Sequence, residues 1–307
     1  MRILFAGTPQ VAVPTLEALA ESPHELVGVL TQPDARRGRG RKVARSQVAQ
    51  WAENRGLDVW TPTTLRTEEA HQRLRELDVD LVVVVAYGKL VPREALDIPR
   101  LGWINLHFSL LPAWRGAAPV QHAVLSGDDM TGASVFQLEA GMDTGPVFGM
   151  VTDSISSRDT SGDVLERLSV SGARLAVDVV NALAEDDIHA RPQSSDGVSL
   201  APKITSADAR VRWSEPAFAV DRRVRAVTPT PGAWTEWQGE RFRLGPVTVD
   251  KDGPRLEPGR LETTKKSVFV GTATDPVRLG TVQPAGKKAM DATAWARGIQ
   301  ESDGRFE

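Results

Sequence analysis

The stretch Asp80-Leu81-Val82-Val83-Val84-Val85 limits what this chain can fold into more than any other segment. After Asp80 it offers no polar face to solvent and is dominated by β-branched side chains. It therefore reads as a strand buried on both sides, as in the middle of a parallel sheet. Shorter signals around it fit the same sheet. Ile3 to Ala6 is closed by Gly7-Thr8-Pro9 and followed by a helical stretch through Leu16 and Leu19. Leu26 to Leu30 is a second strand ending at Gln32-Pro33-Asp34, and a weaker one surrounds Val59-Trp60. Leu74 and Leu77 lie on a helix that leads into the valine run. Strands alternating with helices predict an open, doubly wound α/β sheet. From Thr131 the pattern changes: Ala133 to Leu138 alternates, Val147 to Ile155 continues extended, and a helix follows over residues 160–183.

The pattern breaks again at Arg191-Pro192-Gln193-Ser194-Ser195-Asp196-Gly197, a polar run rich in turn formers. Beyond it, short strand signals (Trp234 to Trp237, Arg241 to Leu244, Ser267 to Val270) are separated by Gly, Pro and Asp, which suggests a small antiparallel barrel or sandwich. The expected organisation is a catalytic domain over 1–189, a linker over 190–208 and a second domain over 209–307. Charge divides at the same place. The chain carries a net charge of -3, yet residues 203–307 hold 18 Lys and Arg against 14 Asp and Glu. The first part is therefore acidic and the second basic.

Composition removes several classes. With 41% hydrophobic and 25% charged residues the chain is not of the disordered type. No apolar run approaches the ~20 residues that span a bilayer, and Met1 to Pro9 reads as a first strand rather than a signal peptide. A cytoplasmic protein is expected, with no membrane partner. The chain has 0 cysteines, so disulfides, a thiol nucleophile and a cysteine zinc site are excluded.

Arg36-Arg37-Gly38-Arg39-Gly40-Arg41-Lys42, with Arg45 close behind, is the densest positive charge. It follows the second strand at the carboxyl edge, where doubly wound sheets bind ligands. Guanidinium groups there would suit phosphates, although a solvated surface loop has the same signature. Neither this loop nor Gly7-Thr8-Pro9 matches a dinucleotide or nucleotide glycine pattern, so a nicotinamide oxidoreductase lacks motif support.

The chemistry concentrates in Trp103-Ile104-Asn105-Leu106-His107-Phe108-Ser109-Leu110-Leu111-Pro112. Asn105 and His107 are two apart on a predicted strand, so both side chains leave one face. An imidazole moves protons near neutral pH, and an amide N–H can stabilise charge on a carbonyl oxygen. Asp143, in Gly141-Met142-Asp143-Thr144-Gly145, is either a turn residue bonding its own backbone or a carboxylate that orients His107. No histidine lies in a metal-binding spacing, so no metal is expected. Ser109 is outside the serine-hydrolase pattern.

Asn105 to Pro112, Trp114-Arg115-Gly116-Ala117-Ala118-Pro119-Val120-Gln121 and Met142-Asp143-Thr144-Gly145-Pro146 together resemble the signature of the folate-dependent formyltransferases. The similarity extends to Ile3 to Pro9, Thr31 to Asp34, Ala86-Tyr87-Gly88-Lys89, Ala201 to Ile204 and Gln283 to Met290, and so covers essentially the whole chain. Ala113 departs from it, where an arginine or another polar residue is expected. The resemblance implies a Rossmann-like formyltransferase domain with a mostly parallel sheet, followed by a smaller OB-like β-barrel domain. It implies transfer of a formyl group from 10-formyltetrahydrofolate to an amine, here the α-amine of methionyl initiator tRNA, by a protein expected to be monomeric. The alternative acceptor is a small amine or an amino sugar nucleotide, and a binding module with a dead site is a further rival.

Carried over residue by residue, the resemblance makes Asn105, His107 and Asp143 catalytic. Asn105 and His107 would donate to the oxyanion, and Asp143 would set the state of His107, the formal base being left open. Ser109, Leu110, Leu111 and Pro112 fall on the folate-binding segment, with Leu90 and Val91 as further neighbours. Arg36, Arg37, Arg39, Arg41 and Lys42 would meet the tRNA. Arg222, Arg223, Arg225, Lys287 and Lys288 are candidate phosphate contacts.

Overall fold

The computed structural model describes residues 1–37, 42–299 and 304–307 and puts the valine run at the middle of a seven-stranded sheet. Its elements, in chain order, begin with β1 (Arg2–Gly7), α1 (Val13–Ala20), β2 (Glu25–Leu30), β3 (Ala35–Arg37), β4 (Lys42–Ala44), α2 (Gln47–Glu53), β5 (Val59–Trp60), α3 (Glu68–Glu76) and β6 (Leu81–Val85). They continue with α4 (Arg93–Leu96), β7 (Trp103–His107), β8 (Arg115–Gly116), α5 (Pro119–Ser126), β9 (Met130–Gln137), β10 (Val147–Ser154) and α6 (Ser161–Ala184). The strand order is β10-β9-β7-β6-β1-β2-β5. Every residue of β6 is buried, as a strand covered on both faces must be.

The five strands from β5 to β7 run parallel, while β9 and β10 are antiparallel. This is the mostly parallel sheet expected. The chain winds outward from β1 through β2 to β5 and then returns to place β6 on the other side of β1. Strand order therefore reverses between β1 and β6, and the crevice at their carboxyl ends is where such sheets bind ligands. The segments after β6 and β7 both emerge there. Apolar residues of β1, β6, α3 and α4 join Trp60, Tyr87 and Trp103 in one core.

The basic stretch forms a hairpin in which Ala35 pairs with Ala44 and Arg37 with Lys42. Its base is held by the buried Thr31 and Ser46 hydroxyls, 2.8 Å apart, and Ser46 also caps α2 by accepting the N–H of Ala49. Arg39 and Arg41 lie outside the described residues. Arg45 is tied down, pairing with Asp34 and Glu53.

Residues divide into two compact units: Met1–Pro119, Met130–Ser154 and Leu165–Leu200 in one, and Val120–Asp129, Ile155–Val164 and Ala201–Glu307 in the other. The two-residue strand β11 (Leu200–Ala201) falls at the change. The second unit adds α7 (Ala217–Ala226), β12 (Trp234–Trp237), β13 (Glu240–Leu244), β14 (Val247–Val249), β15 (Leu261–Thr263) and β16 (Val268–Val270). After these come β17 (Val277–Leu279), β18 (Thr281–Gln283), β19 (Met290–Asp291) and α8 (Ala292–Ala296). Two antiparallel sheets, β12-β13-β18-β19 and β14-β17-β16-β15, share one apolar core, the barrel-like domain expected. No helix among the described residues is long and apolar enough to cross a membrane.

Phe306 plugs that core. It is 1% exposed, with its ring stacked between Trp213 and Trp295 and edge-on to Trp237. Truncating a fully buried aromatic removes its transfer energy and leaves a cavity, so Phe306→Ala should destabilise the second unit by about 3–5 kcal/mol. Urea unfolding followed by tryptophan fluorescence reads this directly, because three indoles surround the ring.

Candidate active site

Asn105 and His107 share a face of β7 at the carboxyl edge. Parallel pairing sets Val84 of β6 beside Asn105, and antiparallel pairing sets Phe136 beside Asn105 and Ser134 beside His107. With strands on both sides, β7 cannot shift register without turning these side chains to the other face. His107 is 6% exposed and Phe136 meets its ring edge-on at 6.4 Å.

The ring has two polar neighbours. Nε2 lies 2.9 Å from the carbonyl oxygen of Trp114. A carbonyl only accepts, so Nε2 carries the proton and, in the neutral ring, Nδ1 is left with a free lone pair. Nδ1 lies 3.8 Å from Oδ2 of Asp143. Burial holds the imidazole below its ordinary range, against the charge of Asp143 and the Trp114 carbonyl, which both favour the cation. The Asn105 side-chain amide takes no hydrogen bond among the described residues.

Both neighbours sit on backbone in the left-handed region, with φ of 59° at Trp114 and 52° at Asp143. Such a conformation costs a residue bearing a Cβ about 1–2 kcal/mol and is kept where the surroundings over-determine it. Here the determinants are specific. The N–H of Gly116 donates to Oδ2 of Asp143 at 2.7 Å. Nε2 of Gln193 donates at 2.8 Å to the carbonyls of both Asp143 and Gly145, while its Oε1 accepts from Nε and Nη2 of Arg115. Ser199 accepts the Trp114 N–H on its hydroxyl and the Arg115 N–H on its carbonyl. Gly145 passes so close to the Gln137 carbonyl that a Cβ would collide with it.

The structure thus brings Asn105, His107 and Asp143 together. Ser109 is fully buried, its hydroxyl donating to the Ala113 carbonyl at 2.6 Å and its own carbonyl accepting from Ser134. Leu110 is half-buried over Gly132, and Leu111 packs on Phe136 and Val147. Leu111 and Pro112 line a cavity of about 820 Å³ that is bounded opposite by residues 187–194. After β6, Leu90 is 81% exposed and Val91 is half-buried.

The second-unit arginines picked out as phosphate contacts are engaged within that unit. Arg223 grips both Glu215 oxygens at 3.0 Å, and Arg225 is 8% exposed with its guanidinium on Asp221 and the Asp159 carbonyl. Arg222 donates to the Ser126 carbonyl. Lys287 and Lys288 are exposed. Gln193, Ser199 and the Trp114 carbonyl escaped the sequence reading. Nothing in the sequence of 191–200 marks the first two, which in the structure are the residues of that stretch that are not exposed.

The family pattern described as "Formyl transferase" matches residues 1–180, and "Formyl transferase, C-terminal domain" matches residues 203–300. A methionyl-tRNA formyltransferase of Salinispora tropica is 62% identical over 304 residues, covering 99% of each chain. One of Thermobifida fusca is 58% identical over 304 residues, covering 99% of this chain and 98% of its own. Among solved structures, HypX from Aquifex aeolicus in complex with tetrahydrofolic acid superposes with a TM-score of 0.69 at 16% identity, over all of this chain and 51% of that one.

Imidazole NMR on the folded protein should find His107 protonated at Nε2 and titrating below the ordinary histidine value of about 6.5. In Asp143→Asn the loss of the neighbouring charge should move that titration lower still.

Proposed function

This chain belongs to the formyltransferase family and, within it, to the methionyl-tRNA formyltransferases, and from that membership we infer that it moves the formyl group of 10-formyltetrahydrofolate onto the α-amine of methionyl initiator tRNA. The observation that carries a mechanism is the juxtaposition of Asn105, His107 and Asp143 at the carboxyl edge.

The amine nitrogen attacks the formyl carbon, a carbon–nitrogen bond forms, and the formyl oxygen takes up negative charge. The amide N–H of Asn105, unengaged among the described residues, is suited to donate to that oxygen, where a donor already in place costs no reorganisation. The attacking nitrogen must shed a proton. With Nε2–H of His107 occupied by Trp114, the available ring nitrogen is Nδ1, an acceptor, so we assign His107 as the base. Asp143 faces Nδ1 and stabilises the imidazolium that results. The proton then passes to the departing folate nitrogen as its bond to the formyl carbon breaks. This assignment leaves oxyanion donation to Asn105 alone, a narrower role for His107 than the sequence suggested.

For the folate we assign Leu90 and Val91 beside the backbone of Ser109, Leu110, Leu111 and Pro112, an apolar edge suited to a flat heterocycle. For the tRNA we assign the basic stretch Arg36, Arg37, Arg39, Arg41 and Lys42, which follows β2 in the chain. In the second unit Trp234 lies under Arg241 at 4.4 Å and Arg210 at 5.4 Å, a cationic aromatic surface of the kind that contacts nucleic acid. We place the enzyme in the cytoplasm, where its aminoacylated substrate is used, and as a monomer.

An acid-gel assay of methionyl initiator tRNA with 10-formyltetrahydrofolate should show conversion to the formylated form. His107→Ala should lower kcat by about 10²–10⁴-fold and Asn105→Ala by about 10²–10³-fold. A folded wild-type protein that leaves this tRNA unformylated, or either variant at wild-type turnover, would overturn the assignment. Binding of the tRNA should weaken steeply as salt rises, since cations displace counterions from phosphates. A Kd indifferent to salt would contradict the role given to the hairpin.

A further inference from the structure

Residues 191–200 have the composition of a spacer: polar, rich in turn formers and mostly exposed. Two of their side chains nonetheless turn inward, those of Gln193 and Ser199, and both end on residues that hold His107. Gln193 spends its full hydrogen-bonding capacity there. Its Nε2 gives a hydrogen bond to each of two carbonyls, Asp143 and Gly145, and its Oε1 receives two from Arg115. The amide cannot be turned end for end, because its N–H groups would then face a guanidinium and its oxygen two carbonyls.

The partners matter as much as the count. Arg115 lies between Trp114, whose carbonyl holds Nε2 of His107, and Gly116, whose N–H holds the Asp143 carboxylate. The Gln193–Arg115 pair therefore joins the strand that presents one partner of the imidazole to the loop that presents the other. Without it the 139–146 loop keeps the Gly116 contact and the Thr144–Glu139 hydrogen bond at 2.8 Å, and the left-handed backbone at Asp143 loses its carbonyl anchor.

We propose that Gln193 is a positioning residue for formyl transfer, holding the Asp143 carboxylate against Nδ1 of His107 through the backbone of the 142–145 loop. The proposal rests on the base assignment above. It differs from a purely structural role because the contact is polar and half-exposed: its loss uncovers little apolar surface, so what it controls is the aim of Asp143. Among the described residues Asp143 is the charged group acting on the His107 ring, so a displaced carboxylate leaves a recognisable trace. The ring becomes harder to protonate, and the acid limb of kcat, which marks loss of the neutral base, moves to lower pH.

The test uses the full chain with methionyl initiator tRNA, comparing wild type, His107→Ala, Gln193→Glu and Gln193→Met. Gln193→Glu keeps the oxygens that Arg115 grips and removes the donors to the two carbonyls. It should melt at the wild-type temperature while kcat falls about 10- to 100-fold, the scale of a misplaced catalytic group, with KM for both substrates within about threefold. In Gln193→Met, which brings no new charge near the ring, the acid limb and the His107 titration seen by NMR should each drop by about half a pH unit or more. Wild-type kcat in Gln193→Glu, or an unchanged acid limb in Gln193→Met, would overturn the proposal, as would a rise in KM alone. If Gln193→Glu does not fold, Gln193→Met, close in size and without donors, decides on kcat as well as on the acid limb. An inactive wild type would refute the proposed reaction itself, whereas active wild type, dead His107→Ala and normal Gln193 variants would refute only the positioning role.

Discussion

The imidazole of His107 can be useful only if its two nitrogens are kept distinct, and the hydrogen bond from Nε2 to the Trp114 carbonyl is what distinguishes them. In water the two tautomers would exchange and either nitrogen could face the substrate. Here β6 and β9 clamp the strand that carries the ring, Phe136 closes one side, and a carbonyl turned inward by a left-handed Trp114 selects the proton's position. Burial and the carboxylate then pull in opposite directions. The low-dielectric setting favours the neutral ring, and the Asp143 carboxylate favours its protonated form. Two residues in a disfavoured backbone conformation are the cost, offset by the contacts of Gly116, Gln193 and Ser199.

Much of the fold could be read from residues alone because it is encoded locally. Leu81 to Val85 declares a doubly covered strand by having no polar alternation, and the spacing of Asn105 and His107 puts them on one face of any strand that contains them. Asp143 was conspicuous between glycines. The contacts of Gln193 were not legible, since an amide that captures distant backbone carbonyls leaves no periodicity and no motif, and its polar neighbours disguise it as spacer. The hydroxyl of Ser109 shows the converse: a polar side chain in a motif-rich stretch that the fold turns inward to brace its own turn. Charge was legible in number but not in use. Arg222, Arg223 and Arg225 looked available for phosphate, yet each is engaged inside its own unit. Of those contacts only the Asp221–Arg225 pair, four apart on a helix, announces itself in sequence.

The two units solve their packing differently. The sheet of the first is aliphatic at its centre, where strands covered on both faces favour valine, isoleucine and leucine. The smaller second unit has short strands and fills its interior with Trp213, Phe242, Trp295 and Phe306, large rings that bury much area per residue where few residues are to hand.

The inward turn of Gln193 and Ser199 also sets where this protein can be divided. The last helix of the sheet ends at Ala184 and composition shifts near residue 190, so a cut there would look harmless. Such a fragment would retain Asn105, His107 and Asp143, and it would lack the side chains that bond the Trp114 N–H and the Asp143 carbonyl. Any chimaera that exchanges second domains between relatives has to inherit the spacer through Leu200 from the same parent as the sheet, because that stretch is hydrogen-bonded to Trp114, Arg115 and the Asp143 loop.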